Sequence, residues 1–398
     1  STLLASSAAS DVYKRQYLDN AATTFPKPNE VYNSVDDCIR NYCANPGRGA
    51  HNLSIKCESK IFDCRERLSM LLNIENPLNI IFTSNATDSL NIAIKGVLKP
   101  GDHAITTMIE HNSVLRPLYS LKKFNIETTI IPVNSLGYLN INDIKKSIKK
   151  NTKAIIINHG SNVIGTIQNL EPIGLLAKSL GILFIVDASQ TIGYSQINVK
   201  KMNINLLAFP GHKSLFGLQG TGGLYISDNI EISSLKEGGT GSNSESIIQP
   251  DFLPDKMESG TLNTPGIISL NEGIKFIFSK RIDNIRNHEI SLMEYLTSEL
   301  QKLPFVKLYG ETNPQLKTPV LSFNIDNHDS SEVGRYLNSL NIYLRTSYHC
   351  APLIHKIIGT ERIGTVRVSP GYFNTFNDIE TFIPVSYTHL RAHETGAY

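Results

Sequence analysis

Lys213 lies in Phe209-Pro210-Gly211-His212-Lys213, directly after the apolar run Leu206-Leu207-Ala208-Phe209. A second apolar run, Ile182 to Val186, ends upstream in Asp187-Ala188-Ser189-Gln190. An amine on a turn beside a strand that ends in a carboxylate is the pairing pyridoxal phosphate chemistry requires. The amine forms a Schiff base with the cofactor aldehyde, and the carboxylate keeps the pyridine nitrogen protonated so that the ring accepts electrons. Gly217, Gly220, Gly222 and Gly223 follow, read as letting the backbone approach a ligand closely. A phosphate-binding loop is the rival reading of this lysine, but no Gly-x-x-x-x-Gly-Lys-Ser/Thr spacing exists.

Other constellations carry both a chemical and a bland reading. Asn85-Ala86-Thr87 falls between a strand ending near Phe82 and a helix beginning near Ser89. Free N–H groups and a hydroxyl at a helix N-terminus suit a phosphate, although capping by Ser84 or Asn85 would be favoured were the segment alone. Asp187 by itself reads equally as a helix cap, with Gln190 placed to meet the cofactor's phenolic oxygen. His111, in Glu110-His111-Asn112-Ser113, could stack on a pyridine ring and shuttle protons, or be an ordinary loop histidine. An arginine on a strand can clamp a substrate carboxylate, and two stretches offer one: Arg345 to Ala351 and Gly364 to Ser369. Cys350 stands beside His349 and near Arg345, a setting that favours the nucleophilic thiolate. Cys38, Cys57 and Cys64 read as small buried hydrophobes.

The elements that must position these groups alternate. Strand-like runs at Ile80–Thr83, 104–106, 128–132, 154–158, 182–186, 206–209 and 223–226 are interleaved with helix-like stretches at 89–98, 114–123, 141–149 and 173–180. That alternation predicts βαβ units and a mostly parallel sheet between helices, with ligands beyond the strand carboxyl ends. His111, Asn162, Asp187 and Lys213 all fall at or after such ends. A polar loop to about Gln249, helical signals from 267 to 302, and a smaller α/β pattern (strands 320–325 and 366–369, helix 331–340) predict a second, smaller domain.

A chain of 398 residues, 40% hydrophobic, buries a core large enough for two domains. The net charge of +2 gives no electrostatic ground for nucleic acid or a membrane surface, and no apolar run reaches the length of a span. Five cysteines without a Cys-x-x-Cys pair argue against a disulfide framework or zinc knuckle and suit a reducing cytoplasm. Residues 1–16 and 387–398 read as non-native tails, with the natural C-terminus and part of its last helix missing.

In YLDNAATT (17–24), NPGRGAH (45–51), TSNATDSLN (83–91), EHNSV (110–114), SNVIGT (161–166), VDASQ (186–190), GHK (211–213), ESGTLNTPG (258–266), RTSYHCAP (345–352) and GTVRVSPGYFNT (364–375) the chain resembles the cysteine desulfurases. These belong to the class V aminotransferase-like, fold-type I pyridoxal phosphate enzymes, and the RTSYHCA context looks like the short-loop desulfurase or selenocysteine lyase-like group. The resemblance implies an α/β fold with a large domain (17–265, its N-terminal segment contributing to the small domain) holding a seven-stranded, mostly parallel sheet, and a smaller C-terminal domain (266–386). It implies that Lys213 holds pyridoxal 5′-phosphate, Asp187 pairs with the pyridinium, Gln190 meets the phenolic oxygen and His111 stacks on the ring. Ala86, Thr87 and His212 would bind phosphate, and Thr264 would reach the neighbouring subunit's phosphate in a homodimer. Asn162 and Arg367, with Arg345, would hold the carboxylate of L-cysteine or selenocysteine, and Cys350 would accept the sulfur as a persulfide for an acceptor protein, as in iron–sulfur cluster assembly. Selenocysteine lyase, transamination and kynureninase-like hydrolysis stay open as alternative reactions. Pro210 replaces a phosphate-binding hydroxyl residue of many relatives, and Ser347 replaces a glycine.

Overall fold

The computed structural model describes residues 15–388 except Arg48 and Ala50, with side chains to 383. The remainder of the two terminal segments set aside above lies outside the described residues. A central sheet of seven strands has the order β2-β8-β7-β6-β5-β3-β4. These are β2 (Ile80–Thr83), β3 (His103–Thr107), β4 (Glu127–Ile131), β5 (Thr152–Asn158), β6 (Leu183–Asp187), β7 (Leu206–Pro210) and β8 (Gly222–Ile226). The pairings from β4 through β3, β5 and β6 to β7 are all parallel. β8 runs antiparallel to both β7 and β2, so β2 regains the common direction.

Both faces of the sheet are covered, which is why its strands read as continuous β-branched runs rather than alternating ones. Ile155, Ile157, Phe184, Val186, Leu207 and Phe209 point into one core; Ala154, Ile156, Ile185, Leu206 and Ala208 point into the other. Helix 264–280 crosses the division expected at 265 and sends Ile267, Leu270, Ile274 and Ile277 into the first of these cores. The helical signal from 267 to 302 is interrupted at Arg281, whose φ is +66°; a second helix, Ile282–Gln301, leads on.

A second sheet contains β12 (Arg345–Ser347), β13 (Thr365–Val368), β10 (Leu321–Ile325) and β9 (Val306–Tyr309), all antiparallel. Its core joins Leu321, Phe323, Val366 and Val368 to Leu292 and Leu296 of helix 282–301 and to Leu18 near the N-terminus. Gln16, at the edge of the N-terminal segment set aside from the sequence, is buried. It begins β1 (Gln16–Tyr17), which pairs with β11 (Ile342–Tyr343). Helices 29–41 and 52–72 carry no expectation from the sequence. Cys38, Cys57 and Cys64 are buried, as read.

Candidate active site

The parallel strands end on one edge of the sheet, and five of their ends supply one cavity. Asn85 to Thr87 follow β2, His111 follows β3, Asn158 ends β5, Asp187 ends β6, and His212 and Lys213 follow β7. Ala86, Thr87, Asn162 and Gln190 also line it. The sequence-derived sites at 86, 87, 111, 162, 187, 190, 212 and 213 are therefore brought together from positions spread over more than a hundred residues. Thr264 is not: it opens helix 264–280, is buried, and lies outside the cavity lining.

Capping and lining coincide at the first loop. The Asn85 side chain accepts from the Asp88 N–H at 2.9 Å and so caps helix 86–97, which starts three residues earlier than its apolar pattern shows. The Thr87 and Ser113 hydroxyls meet at 2.6 Å. Of the glycines after Lys213, Gly222 and Gly223 are packed against protein, and Gly220 has a positive φ of 80°. A Cβ at Gly222 would sit 2.7 Å from the Asn85 carbonyl carbon, and one at Gly223 would strike the Phe209 ring at 2.3 Å. β8 thus lies flush against both the Asn85 loop and β7.

Electrostatics favour neutral bases in this cavity. Burial, with the Arg367 and Arg345 charges adding to it against the pull of Asp187, lowers the Lys213 amine from 10.5 to about 8. Burial likewise pushes His111 down to about 4, with Lys213, Arg345 and Arg116 adding to it and Asp187 opposing. His111 Nδ1 accepts from the Ser113 N–H at 3.1 Å, so its ring proton sits on Nε2. At pH 7 His111 is therefore an uncharged ring, fit to stack or to accept a proton. Asp187 Oδ1 accepts from the Ser189 N–H at 2.9 Å and from the Ser189 hydroxyl. Because a buried amine is uncharged above about 8, borohydride trapping of added pyridoxal on Lys213 should rise with pH through about 8. A trapping curve centred near 10.5, the ordinary lysine value, would contradict this.

Arg345 and Arg367 stand directly opposite each other on β12 and β13, an arrangement that repels unless each charge has a partner. Arg367 Nη2 binds Asp19 at 2.6 Å, and Nη1 donates to the Asn162 carbonyl at 2.9 Å. Arg345 Nη2 lies 3.2 Å from Cys350 Sγ, the contact a sulfur anion would take. His349 is turned away from the sulfur: it is buried, with Nε2 3.0 Å from the Thr365 hydroxyl. The Asn112 N–H donates to the Cys350 carbonyl at 2.7 Å, and the Asn162 side chain donates to the His349 carbonyl at 2.6 Å. Ser347, His349 and Cys350 all have positive φ, at 85°, 49° and 60°. Each costs of order 1 kcal/mol in a residue with a side chain, so the segment carrying the sulfur is held in strain, most simply relieved by glycine at Ser347.

Several residues in this site have no role in the sequence-based reading. The 17–27 segment, of which 17–24 is one of the matching stretches, straps the site from outside. The Thr24 hydroxyl donates to the Lys213 carbonyl at 2.8 Å. The His212 carbonyl accepts from the Thr24 N–H at 3.1 Å, the Thr23 hydroxyl at 3.1 Å and the Lys27 amine at 2.6 Å. Gln190 Nε2 donates to the Ala21 carbonyl at 3.0 Å. Glu110 is buried beneath, its Oε1 accepting from the Thr107 hydroxyl and the Asn158 N–H, and burial raises its carboxyl to about 8. Ser113 and Ser189 lie within matching stretches that by themselves give neither a role. Asp19→Asn should lower stability by about 2 kcal/mol. That is below the ~3–5 kcal/mol of a fully buried pair, because the Asp19 side chain keeps 20% exposure. An unchanged urea midpoint would show that Arg367 does not need this partner.

A pyridoxal phosphate fits these residues. Two polar atoms on the cavity wall, His212 Nδ1 and Asn162 Oδ1, are buried without a partner. The amine, the carboxylate and the helix N-terminus lie around one space.

A lysine and an aspartate on adjacent parallel strand ends, with a helix N-terminus opposite, define a class of lysine-dependent α/β enzyme. The family model for class V aminotransferases matches residues 16–382, and the chain belongs to that family. A probable cysteine desulfurase of Methanothermobacter thermautotrophicus is 32% identical over 372 residues, covering 92% of each chain. One of Borreliella burgdorferi is 35% identical over 381 residues, covering 92% of this chain and 90% of that one. The apo structure of a cysteine desulfurase from Thermococcus onnurineus superposes with a TM-score of 0.88 at 33% identity, covering 94% of both chains. Within the class V family the chain falls in the cysteine desulfurase branch. Among the described residues no helix is long and apolar enough to cross a membrane.

Proposed function

We propose that the protein is a cysteine desulfurase that uses pyridoxal 5′-phosphate to remove sulfur from L-cysteine, releases L-alanine, and carries the sulfur as a persulfide on Cys350 to an acceptor. The observation that supports this most is one cavity walled by Lys213, Asp187 and His111, with Cys350 held by Arg345 at its outer side. When bound, the cofactor supplies an aldehyde for Lys213 and an electron sink for the substrate's α-carbon. Ala86, Thr87 and His212 would hold its phosphate, Asp187 its ring nitrogen and Gln190 its phenolic oxygen, and His111 would lie against its ring. Asn162 and Arg367 orient the substrate carboxylate.

Lys213 Nζ is placed to take the substrate's α-proton, a role that its lowered basicity suits. Cys350 Sγ then attacks the substrate sulfur: an S–S bond forms as the C–S bond breaks, and the electron pair stays with the carbon fragment that becomes alanine. Arg345 Nη2, 3.2 Å from Sγ, faces the attacking sulfur with a positive charge. The reading extends to a homodimer working in the cytoplasm, divided at 265, with Thr264 acting across the interface. Ile247 and Ile248, which are fully or largely exposed in a loop, are side chains such an interface would cover.

Purified protein given the cofactor and L-cysteine should yield alanine and one additional sulfur on the peptide that contains Cys350, read by mass spectrometry. Consumption of an added 2-oxo acid without that sulfur would instead assign a transaminase. A rate on selenocysteine that survives Cys350→Ala, beside a lost rate on cysteine, would assign a lyase.

A further inference from the structure

A groove outside the cavity shares Cys350 with the reaction above and extends past it along residues that the reaction does not use. It runs between helix 86–97 and helix 112–121, which follow the parallel strands β2 and β3 and so both begin at the site and lead away from it. Thr87, His111 and Ser113 line both the groove and the inner cavity, and Cys350 lies on the groove wall. Thr87, Asn91 and Lys95 recur every four residues along one helix, and Asn112, Arg116 and Ser120 along the other. From Thr87 to Lys95 the groove is about 12 Å long at 1.5 Å per residue.

Its charge is one-sided. Lys95 and Arg116 are exposed, no aspartate or glutamate is among the ten lining residues, and Arg345 adds a third positive charge at Sγ. Among the described residues no ion pair neutralises Lys95 or Arg116. Unpaired cations one and two turns out from a sulfur nucleophile create a field that draws in and aligns an anion.

We propose that this groove docks an extended acidic segment of a sulfur-acceptor protein, bringing the segment's thiol to the persulfide on Cys350. The proposal rests on the desulfurase reading and names the acceptor's chemistry. At about 3.3 Å per residue, an extended strand spans the groove in about four residues, so carboxylates two and four residues from the thiol would meet Arg116 and Lys95. A small thiol acid held at Cys350 would not reach Lys95, which is why a peptide segment is the occupant. In the exchange, the acceptor thiolate attacks the outer sulfur of the persulfide. A new S–S bond forms to the acceptor, the bond to Sγ breaks, and Cys350 leaves as a thiolate that Arg345 receives. The outer sulfur keeps its proton, and no external oxidant or reductant is consumed.

The test loads Cys350 with one extra sulfur, either from L-cysteine or directly from inorganic polysulfide, and removes the excess. Transfer is then timed by mass spectrometry to three peptides: Cys-Gly-Asp-Gly-Glu, its Asn/Gln counterpart and its Lys/Lys counterpart. At low salt the acidic peptide should accept sulfur about tenfold faster than the amide peptide, the lower end of electrostatic steering, and the advantage should shrink with added salt. In the Lys95→Glu, Arg116→Glu double variant the order should invert in favour of the lysine peptide. Each ratio is taken within one protein, so a change in folding or loading cancels. Equal rates for acidic and amide peptides, or an acidic preference that persists in the double variant, would overturn the groove. An equal advantage for mercaptosuccinate over mercaptoethanol in the wild type, lost in the variant, would overturn the peptide segment in favour of a small anionic thiol. Failure to load from L-cysteine, with the peptide preference intact after polysulfide, would sink the desulfurase reading and leave the groove standing.

Discussion

Lys213→Ala should reduce alanine formation from L-cysteine by roughly a thousandfold or more, the scale on which loss of a covalent catalytic group acts. The side chain would do two jobs at one atom, tethering the cofactor and moving the α-proton, and among the described residues no other lysine lines the cavity. Lys27, on the strap, also has its basicity lowered by burial, to about 7, but its amine is committed to the His212 carbonyl at 2.6 Å. Cofactor binding should survive in weakened form, because the phosphate and ring partners do not depend on Lys213. The variant should therefore still quench or shift cofactor absorbance, while borohydride fixes nothing at position 213. Undiminished turnover would remove the Schiff-base assignment, and with it the mechanism.

Cys350→Ala should leave the cofactor attached and the α-proton exchangeable, yet stop sulfur transfer by a comparable factor. The two variants separate the two halves of the reaction. Exchange of the α-hydrogen of L-cysteine with deuterated solvent should be lost in Lys213→Ala and kept in Cys350→Ala. The structure supports this division, because Cys350 is on the outer groove and not among the residues of the inner cavity. Alanine production at the wild-type rate in Cys350→Ala would mean that another nucleophile takes the sulfur. Among the other cysteines, Cys38, Cys57 and Cys64 are buried, and none of them lines either recess.

Much of the core was legible because both of its signals are local. Strands buried on both faces read as apolar runs, and residues just past those runs fall on the edge where a parallel sheet gathers its ligands. Lys213, Asp187 and His111 could be singled out for that reason alone. The strap at 17–27 could not, because its hydrogen bonds run from the chain's start to His212 and Lys213, and its ion pair runs on to Arg367. A backbone carbonyl that accepts three such bonds leaves no mark on composition or periodicity. The glycines after Lys213 show the opposite failure: their presence was visible, but whether a ligand or the Asn85 loop fills the missing Cβ depends on what packs there.

From its residues alone, the chain determined which groups can do chemistry: an amine, a carboxylate, a histidine, a thiol and two arginines, each tied to a strand end or strand by patterns a few residues long. Only the tertiary structure decided their charge states and partners. It lowered His111 and Lys213 by burying them, set Arg345 rather than His349 against the Cys350 sulfur, and gave Arg367 its carboxylate from Asp19. Side-chain chemistry is carried by each residue, whereas desolvation and Coulomb energy depend on distances between residues that the linear order leaves open.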